Sequence, residues 1–236
     1  MTLALELRAD PDALRREYEQ ARPFPHVVVD GLFPEATLDR IAAEFPAADE
    51  IPWQRFDNPT ERKLGYRHTT PLAAGLREFM WWMNSAAVLE FVEALTGIDG
   101  LVPDPYFGGA GPHQILPGGF LKVHADFNWH PKLRLDRRLN LIVYLNRDWR
   151  EEWGGHIELW NEDVTRCERR VLPLFNRTIV FATTDTSFHG HPQPLACPPE
   201  RARRSVSFYY YTNGRPAAER SAPHDTIFKK THDADW

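Results

Sequence analysis

After Gly100 the sequence changes to short runs of four to nine residues rich in Val, Ile, Leu, Phe and Tyr, punctuated by Gly-Gly, Pro and Asn-Arg. The runs read as strands over residues 113–116, 120–124, 139–145, 156–160, 170–173, 178–181, 187–191 and 203–211. Eight strands without intervening helices suit a double-sheet jelly roll. The expected fold is therefore mainly β with N-terminal helices: a double-stranded β-helix (jelly roll) buttressed by α-helices on one sheet. One domain over 1–236 is expected, with a helix-rich part at 1–100 and the jelly-roll core at 101–236.

The first hundred residues supply the buttress. The opening MTLALELRADPDALRRE reads as helix, with Asp10 as N-cap and Pro11 at the first helical position, continuing to about Arg22. His26 to Asp30, HVVVD, reads as a β-branched strand. Leu38, Ile41, Ala42 and Phe45 fall at i, i+3, i+4 and i+7, one face of a helix from Pro34 that stops at Pro46. Two further helices fit 71–83, whose aromatic cluster from Met80 to Met83 reads as core, and 85–96, with Gly97 as C-cap.

Composition removes whole classes of function. A net charge of -5 and a pI near 6.1 lack the basic footprint of a nucleic-acid binder. Two cysteines, Cys167 and Cys197, cannot build a disulfide framework for a chain of this size, which fits a reducing cytoplasm. The most apolar region, 79–95, is broken by Asn84, Glu90 and Glu93, so no membrane span is expected.

The chemically informative stretch is PGGFLKVHADFNWH, in which His124 and Asp126 stand two apart. On an extended backbone such residues point to the same side, so one imidazole and one carboxylate can share a metal ion. Alone the signal is weak, since about 0.7 such pairs arise by chance at this composition. His156 and Glu158 form a rival pair of identical spacing. What separates the two is downstream. SFHGHPQPL offers His189 or His191 as a third ligand on another strand, and RRSVSFYYYT places Arg203, Ser205, Ser207, Tyr209 and Tyr211 on one strand face. An inward arginine among hydroxyls calls for an anion, a carboxylate gripped in bidentate fashion. Parity favours Arg203, because Arg204 shares its face with Val206 and Phe208. Two histidines and a carboxylate leave three positions open on an octahedral metal, the arrangement of non-haem Fe(II) oxygenases.

From Gln114 to Thr212 the chain resembles the Fe(II)- and 2-oxoglutarate-dependent oxygenases of the prolyl-hydroxylase-like branch. The motifs run in the family's order: HAD at 124–126, YLNRDW at 144–149, WGGHIELW at 153–160, PLFNRTIVF at 173–181, FHG at 188–190 and RRS at 203–205. The leader PFPHVVVDGLFP, 23–34, is also similar to the segment preceding many such barrels. The resemblance implies that His124, Asp126 and His189 hold iron, with His191 at a position that is usually apolar. It implies that Arg203 binds the distal carboxylate of 2-oxoglutarate, helped by Tyr144 and Ser207. Gln114 stands where the hypoxia-inducible-factor prolyl hydroxylases carry a tyrosine ten residues before the first ligand, and is expected among the co-substrate contacts.

Fe(II), 2-oxoglutarate and O2 are thus the implied cofactors, with ascorbate as reductant in vitro. The implied reaction is hydroxylation of an unactivated C–H bond of a small or amino-acid-like molecule. An intact Asp126 argues against halogenation. A peptidyl-prolyl hydroxylase, a non-catalytic jelly-roll ligand-binding module and a metal-dependent hydrolase or isomerase are the alternatives. His156 and Glu158 are expected to turn away from the metal with Ile157 facing in. Asn128, Trp129 and His130 either line the substrate mouth or form a loop.

Overall fold

The computed structural model describes residues 3–231. Four helices come first: α1 (Pro11–Gln20), α2 (Glu35–Ala43), α3 (Ala74–Trp82) and α4 (Ala86–Thr96). Between and after them run β1 (His26–Asp30), β2 (Gln54–Asn58), β3 (Glu61–Gly65), β4 (Val102–Pro103), β5 (Gly111–Ile115), β6 (Phe120–Ala125), β7 (Trp129–His130) and β8 (Leu135–Tyr144). The chain continues with β9 (Ile157–Trp160), β10 (Cys167–Val171), β11 (Arg177–Ala182), β12 (His189–His191), β13 (Arg203–Thr212) and β14 (Ile227–Phe228). The main path of the sheet is β1-β11-β8-β13-β5-β3-β6-β12-β9-β10, antiparallel throughout. This is the jelly roll expected from the strand pattern.

Alternation along β8 and β13 divides the protein into two interiors. Leu139, Leu141, Val143, Val206, Phe208 and Tyr210 face outward and merge with Leu38, Ile41, Phe79, Val88 and Val92 of the helices into one buried cluster. Tyr210 donates its hydroxyl to the carbonyl of Met83 at 2.9 Å, so even its polar end is satisfied against α3. The opposite face, from Asn140, Ile142, Ser205, Ser207 and Tyr209, looks into the barrel. The helices pack on one sheet only, and the barrel lumen is left for chemistry.

Local signals act where expected. Asp10 accepts the N–H of Asp12 at 3.0 Å at the start of α1, and Gly97 ends α4 in the left-handed region at φ 69°. All eight strands read from the pattern after Gly100 form, with ends shifted by up to four residues. Three differences stand out. Residues 3–10 are not helical: Leu3, Leu5 and Leu7 alternate with exposed Ala4, Glu6 and Arg8, a two-residue period that suits an extended segment. Arg8 anchors that segment through its N–H to Leu32 O at 2.8 Å. The third helix starts at Ala74, three residues after Pro71. The hairpin β2–β3 carries no apolar alternation in its first strand, yet pairs with both β5 and β6 and closes the barrel. Among the described residues no helix is long and apolar enough to cross a membrane.

Candidate active site

Three side chains from two strands converge in the lumen. His124 lies on β6, Asp126 follows the end of that strand, and His189 opens β12 directly across the ladder from His124. The Nε2 of His124 is 3.6 Å from Asp126 Oδ1, and the Nε2 of His189 is 3.5 Å from Asp126 Oδ2. One nitrogen or oxygen from each of the three lies within 4.8 Å of the others. Each imidazole is held from behind: Nδ1 of His124 donates to Lys122 O at 2.8 Å and Nδ1 of His189 to Ser187 O at 2.9 Å. A carbonyl only accepts, so Nδ1 carries the proton and the Nε2 lone pairs face the carboxylate.

Electrostatics prepares His189 and Asp126. Burial first, and then His124, pushes the pKa of His189 down to about 4, so its ring is neutral at physiological pH. Burial by itself would raise the Asp126 carboxyl, but Arg137, His189 and His124 together hold it well below the usual carboxylate range. Two imidazoles with their Nε2 atoms turned inward and an ionised carboxylate make the donor set of a facial triad, so the residues fit a divalent metal such as Fe(II). Asp126 Oδ2 accepts from Asn140 Nδ2 at 2.6 Å and from Arg137 Nη2 at 3.1 Å. Arg137 also donates to Asn140 Oδ1, and its guanidinium lies 3.5 Å from the ring centre of Tyr209 and 4.3 Å from that of Phe127.

Beyond the triad is a cavity of about 80 Å³ whose far wall carries Arg203, Ser205 and Ser207. Arg203 is buried; its Nε donates to Gly155 O at 2.7 Å and its Nη2 to Tyr144 Oη at 3.1 Å. Tyr144 is fully buried and reaches the site through that bond. Ile142 and Ile157 supply apolar walls. A second cavity of about 180 Å³, lined by Phe56, Lys63, Tyr66, Phe127 and Phe228, adjoins the first and shares His113, His124, Asp126 and Tyr209 with it.

Gln114 requires a correction. It is buried on the opposite face of β5, where its Oε1 accepts from Arg204 Nε at 3.3 Å and its Nε2 points to Pro46 O at 3.5 Å. The register explains it: Gln114 pairs with Arg204, while His113 pairs with Ser205 and Ile115 with Arg203, and paired residues share a face. His113 and Ile115 therefore line the cavity and Gln114 does not. Arg204 likewise faces the helices, 5.4 Å from the ring centre of Phe45. Asn128 binds Ser221, Ala222 and His224, His130 lies 3.4 Å from Asp104, and Trp129 and His130 form β7 against β8; none of the three lines either cavity. The pairing of His156 with Glu151 and of Glu158 with Arg170 leaves Ile157 as the inward residue of β9.

Sequence reasoning missed Asn140, His113, Lys63 and Arg137. Asn140 and His113 were within reach of the parity argument that selected Arg203. Arg137 was not, because the pairing of β8 with β13 shifts between Tyr210 and Tyr211 and breaks the alternation just where Arg137 turns in.

Comparison with known proteins agrees with this geometry. Residues 110–211 match the sequence model of the 2OG-Fe(II) oxygenase superfamily. No curated protein sequence matches the chain. A prolyl-4-hydroxylase from Pseudomonas putida is similar in structure, with TM-score 0.63 and 16% identity over 87% of this chain and 100% of its own. A Trichoplax adhaerens prolyl hydroxylase, solved with a hypoxia inducible factor peptide fragment, has TM-score 0.56 and 13% identity over 85% of this chain and 90% of its own. HygX from Streptomyces hygroscopicus, solved with nickel, 2-oxoglutarate and hygromycin B, has TM-score 0.54 and 12% identity over 86% of this chain and 92% of its own. These likenesses concern the fold; the sequence match concerns the family. The barrel segment of this chain is therefore similar in sequence to the 2OG-Fe(II) oxygenase superfamily, whose members use Fe(II), 2-oxoglutarate and O2, and the chain shares its fold with prolyl hydroxylases.

Proposed function

We propose that the protein hydroxylates an unactivated C–H bond of a small, amino-acid-like molecule, converting 2-oxoglutarate and O2 to succinate and CO2 as the substrate gains one oxygen atom. The observation that carries this reading is the meeting of His124, Asp126 and His189 beside a cavity floored by a buried arginine. In this reading the three side chains hold Fe(II), and the bound metal with its co-substrate supplies the oxidising power. Asn140 and Arg137 keep Asp126 ionised and aimed. Arg203, braced by Gly155 O and Tyr144 Oη, receives the distal carboxylate of 2-oxoglutarate, and Ser207 lies on the same wall.

The adjoining cavity, with Phe56, Tyr66, Phe127, Tyr209 and Phe228 on its wall, is the place for the substrate. Its volume of about 180 Å³ suits a small molecule. Helices and barrel share one buried cluster, which supports a single working domain. The test is succinate formation on adding Fe(II), ascorbate, O2 and 2-oxoglutarate, stimulated by a panel of amino acids, small natural-product-like molecules and proline peptides. Stimulation by small molecules is expected. Stimulation by peptides alone would overturn the substrate class, and turnover without O2 would remove the oxygenase reading.

A further inference from the structure

Most imidazoles that face the barrel or its rim are anchored. His124, His189 and His113 each bind a backbone carbonyl, and His130 Nδ1 accepts the N–H of Leu133 at 3.0 Å. His191 is different. It is 4% exposed, and neither its Nδ1 nor its Nε2 has a hydrogen-bond partner among the described residues. A buried polar atom without a partner is destabilising, so two on one ring demand an explanation.

The position of the ring supplies one. Gly190 lies so close to β6 that an added Cβ would stand 2.8 Å from Leu121 O, and the β12–β6 register shifts between His189 and His191. Residues two apart on β12 share a face, so both histidines enter the lumen, and His191 lines the same cavity as Arg203, Ser205 and Ser207. The neighbouring wall is apolar, made of Ile115, Leu121, Ile142 and Ile157. An apolar side chain at 191 would complete that wall without leaving two hydrogen-bonding atoms unmet. Arg203 meanwhile uses Nε and Nη2 within the protein, and among the described residues no hydrogen bond engages its Nη1.

We propose that His191 is a second hydrogen-bond donor to the carboxylate that Arg203 grips, and so a specificity residue for a dicarboxylic co-substrate. The proposal rests on the assignment of this cavity to 2-oxoglutarate made above. A ligand carboxylate satisfies the imidazole N–H and the free edge of the guanidinium together, so binding meets the donor of the two unpartnered ring atoms. A 2-oxo acid with no distal carboxylate leaves His191 as it was.

The test is anaerobic calorimetry on the full chain loaded with Mn(II), titrating 2-oxoglutarate and 2-oxobutyrate into wild type, His191→Val, His191→Gln and Arg203→Met. His191→Val should weaken 2-oxoglutarate about tenfold or more while leaving 2-oxobutyrate and Mn(II) affinity within about twofold. His191→Gln, which keeps an N–H donor, should recover most of the loss. His191→Met, apolar and adaptable, answers the same question if the valine variant does not fold. Unchanged 2-oxoglutarate affinity in His191→Val, with Arg203→Met weakened, overturns the role of His191 and leaves the co-substrate cavity standing. Equal weakening of both oxo acids also overturns it, by placing His191 at the metal end. Failure of wild type to bind 2-oxoglutarate, or indifference to Arg203→Met, overturns the cavity assignment and this inference with it.

Discussion

His124 with Asp126 and His156 with Glu158 are two pairs of the same chemistry at the same spacing, and all four side chains are buried, yet only one pair belongs to the site. On β6 the pair faces His189 across the ladder and looks into the lumen. At β9 the pair faces out: His156 Nε2 is 2.9 Å from Glu151 Oε1, while Glu158 is 3.3 Å from Arg170 and accepts from Trp160 Nε1 at 3.1 Å. Their charge states diverge as well. Burial pushes the Glu158 carboxyl up, with Arg170 opposing, whereas Arg137 and the two histidines override burial and hold Asp126 down. Spacing places two side chains on one face of a strand; it does not say what that face looks at.

The sharpest break of this comparison is Asp126→Ala, expected to leave less than about 1% of 2-oxoglutarate turnover and no tight Fe(II) binding, read by succinate release and metal titration. Retained turnover would remove Asp126 from the site. Next is Arg203→Met, which strips the cavity of its buried cation; 2-oxoglutarate affinity should fall on the order of 100-fold with Fe(II) affinity preserved. Arg137→Met tests the support behind Asp126 and should reduce metal affinity roughly 10- to 100-fold. An unchanged metal affinity would make Arg137 a packing residue only.

A fourth test uses acid. Burial is the leading cause that lowers the pKa of His26, His113, His156, His189 and His191 in the folded chain. The unfolded chain accepts these protons below about pH 6.5 and the fold resists them, so stability is present at pH 7 and is lost as pH falls toward 4. The melting temperature of the metal-free protein should drop steadily between pH 7 and 5, and a flat or rising profile would contradict the buried neutral rings. The smallest effect belongs to the rival pair. Glu158→Gln combined with His156→Gln should change turnover and metal affinity by less than about twofold; a larger loss in metal affinity would mean that the two pairs are not as distinct as their geometry.

Much of this was legible in the residues. The strand at 26–30, the long strands β8 and β13, the caps at Asp10 and Gly97 and the inward face of Arg203 all follow from local pattern. The errors have particular causes. Residues 3–10 invite a helix by composition, but Leu3, Leu5 and Leu7 find the core with a two-residue period. The strand of Gln54, Arg55, Phe56, Asp57 and Asn58 is nearly all exposed and has no apolar rhythm, so only its pairing with β3 reveals it, and with it the place of Lys63 at both cavities. Gln114 was aligned by counting back from His124, a count that ignores how the turn at Gly118 and Gly119 alters the phase between β5 and β6.

The amino-acid order alone determined which residues alternate, which stretches end, and which side chains carry metal-binding or anion-binding chemistry, because those depend on a few neighbouring residues. Tertiary structure decided which faces look inward and which groups meet: hydrogen-bonded register joins His124 to a residue 65 positions away in the chain and Arg203 to Ile115, and one shift at Tyr210 brings Arg137 behind Asp126. Register is a property of pairs of strands, and no single strand contains it.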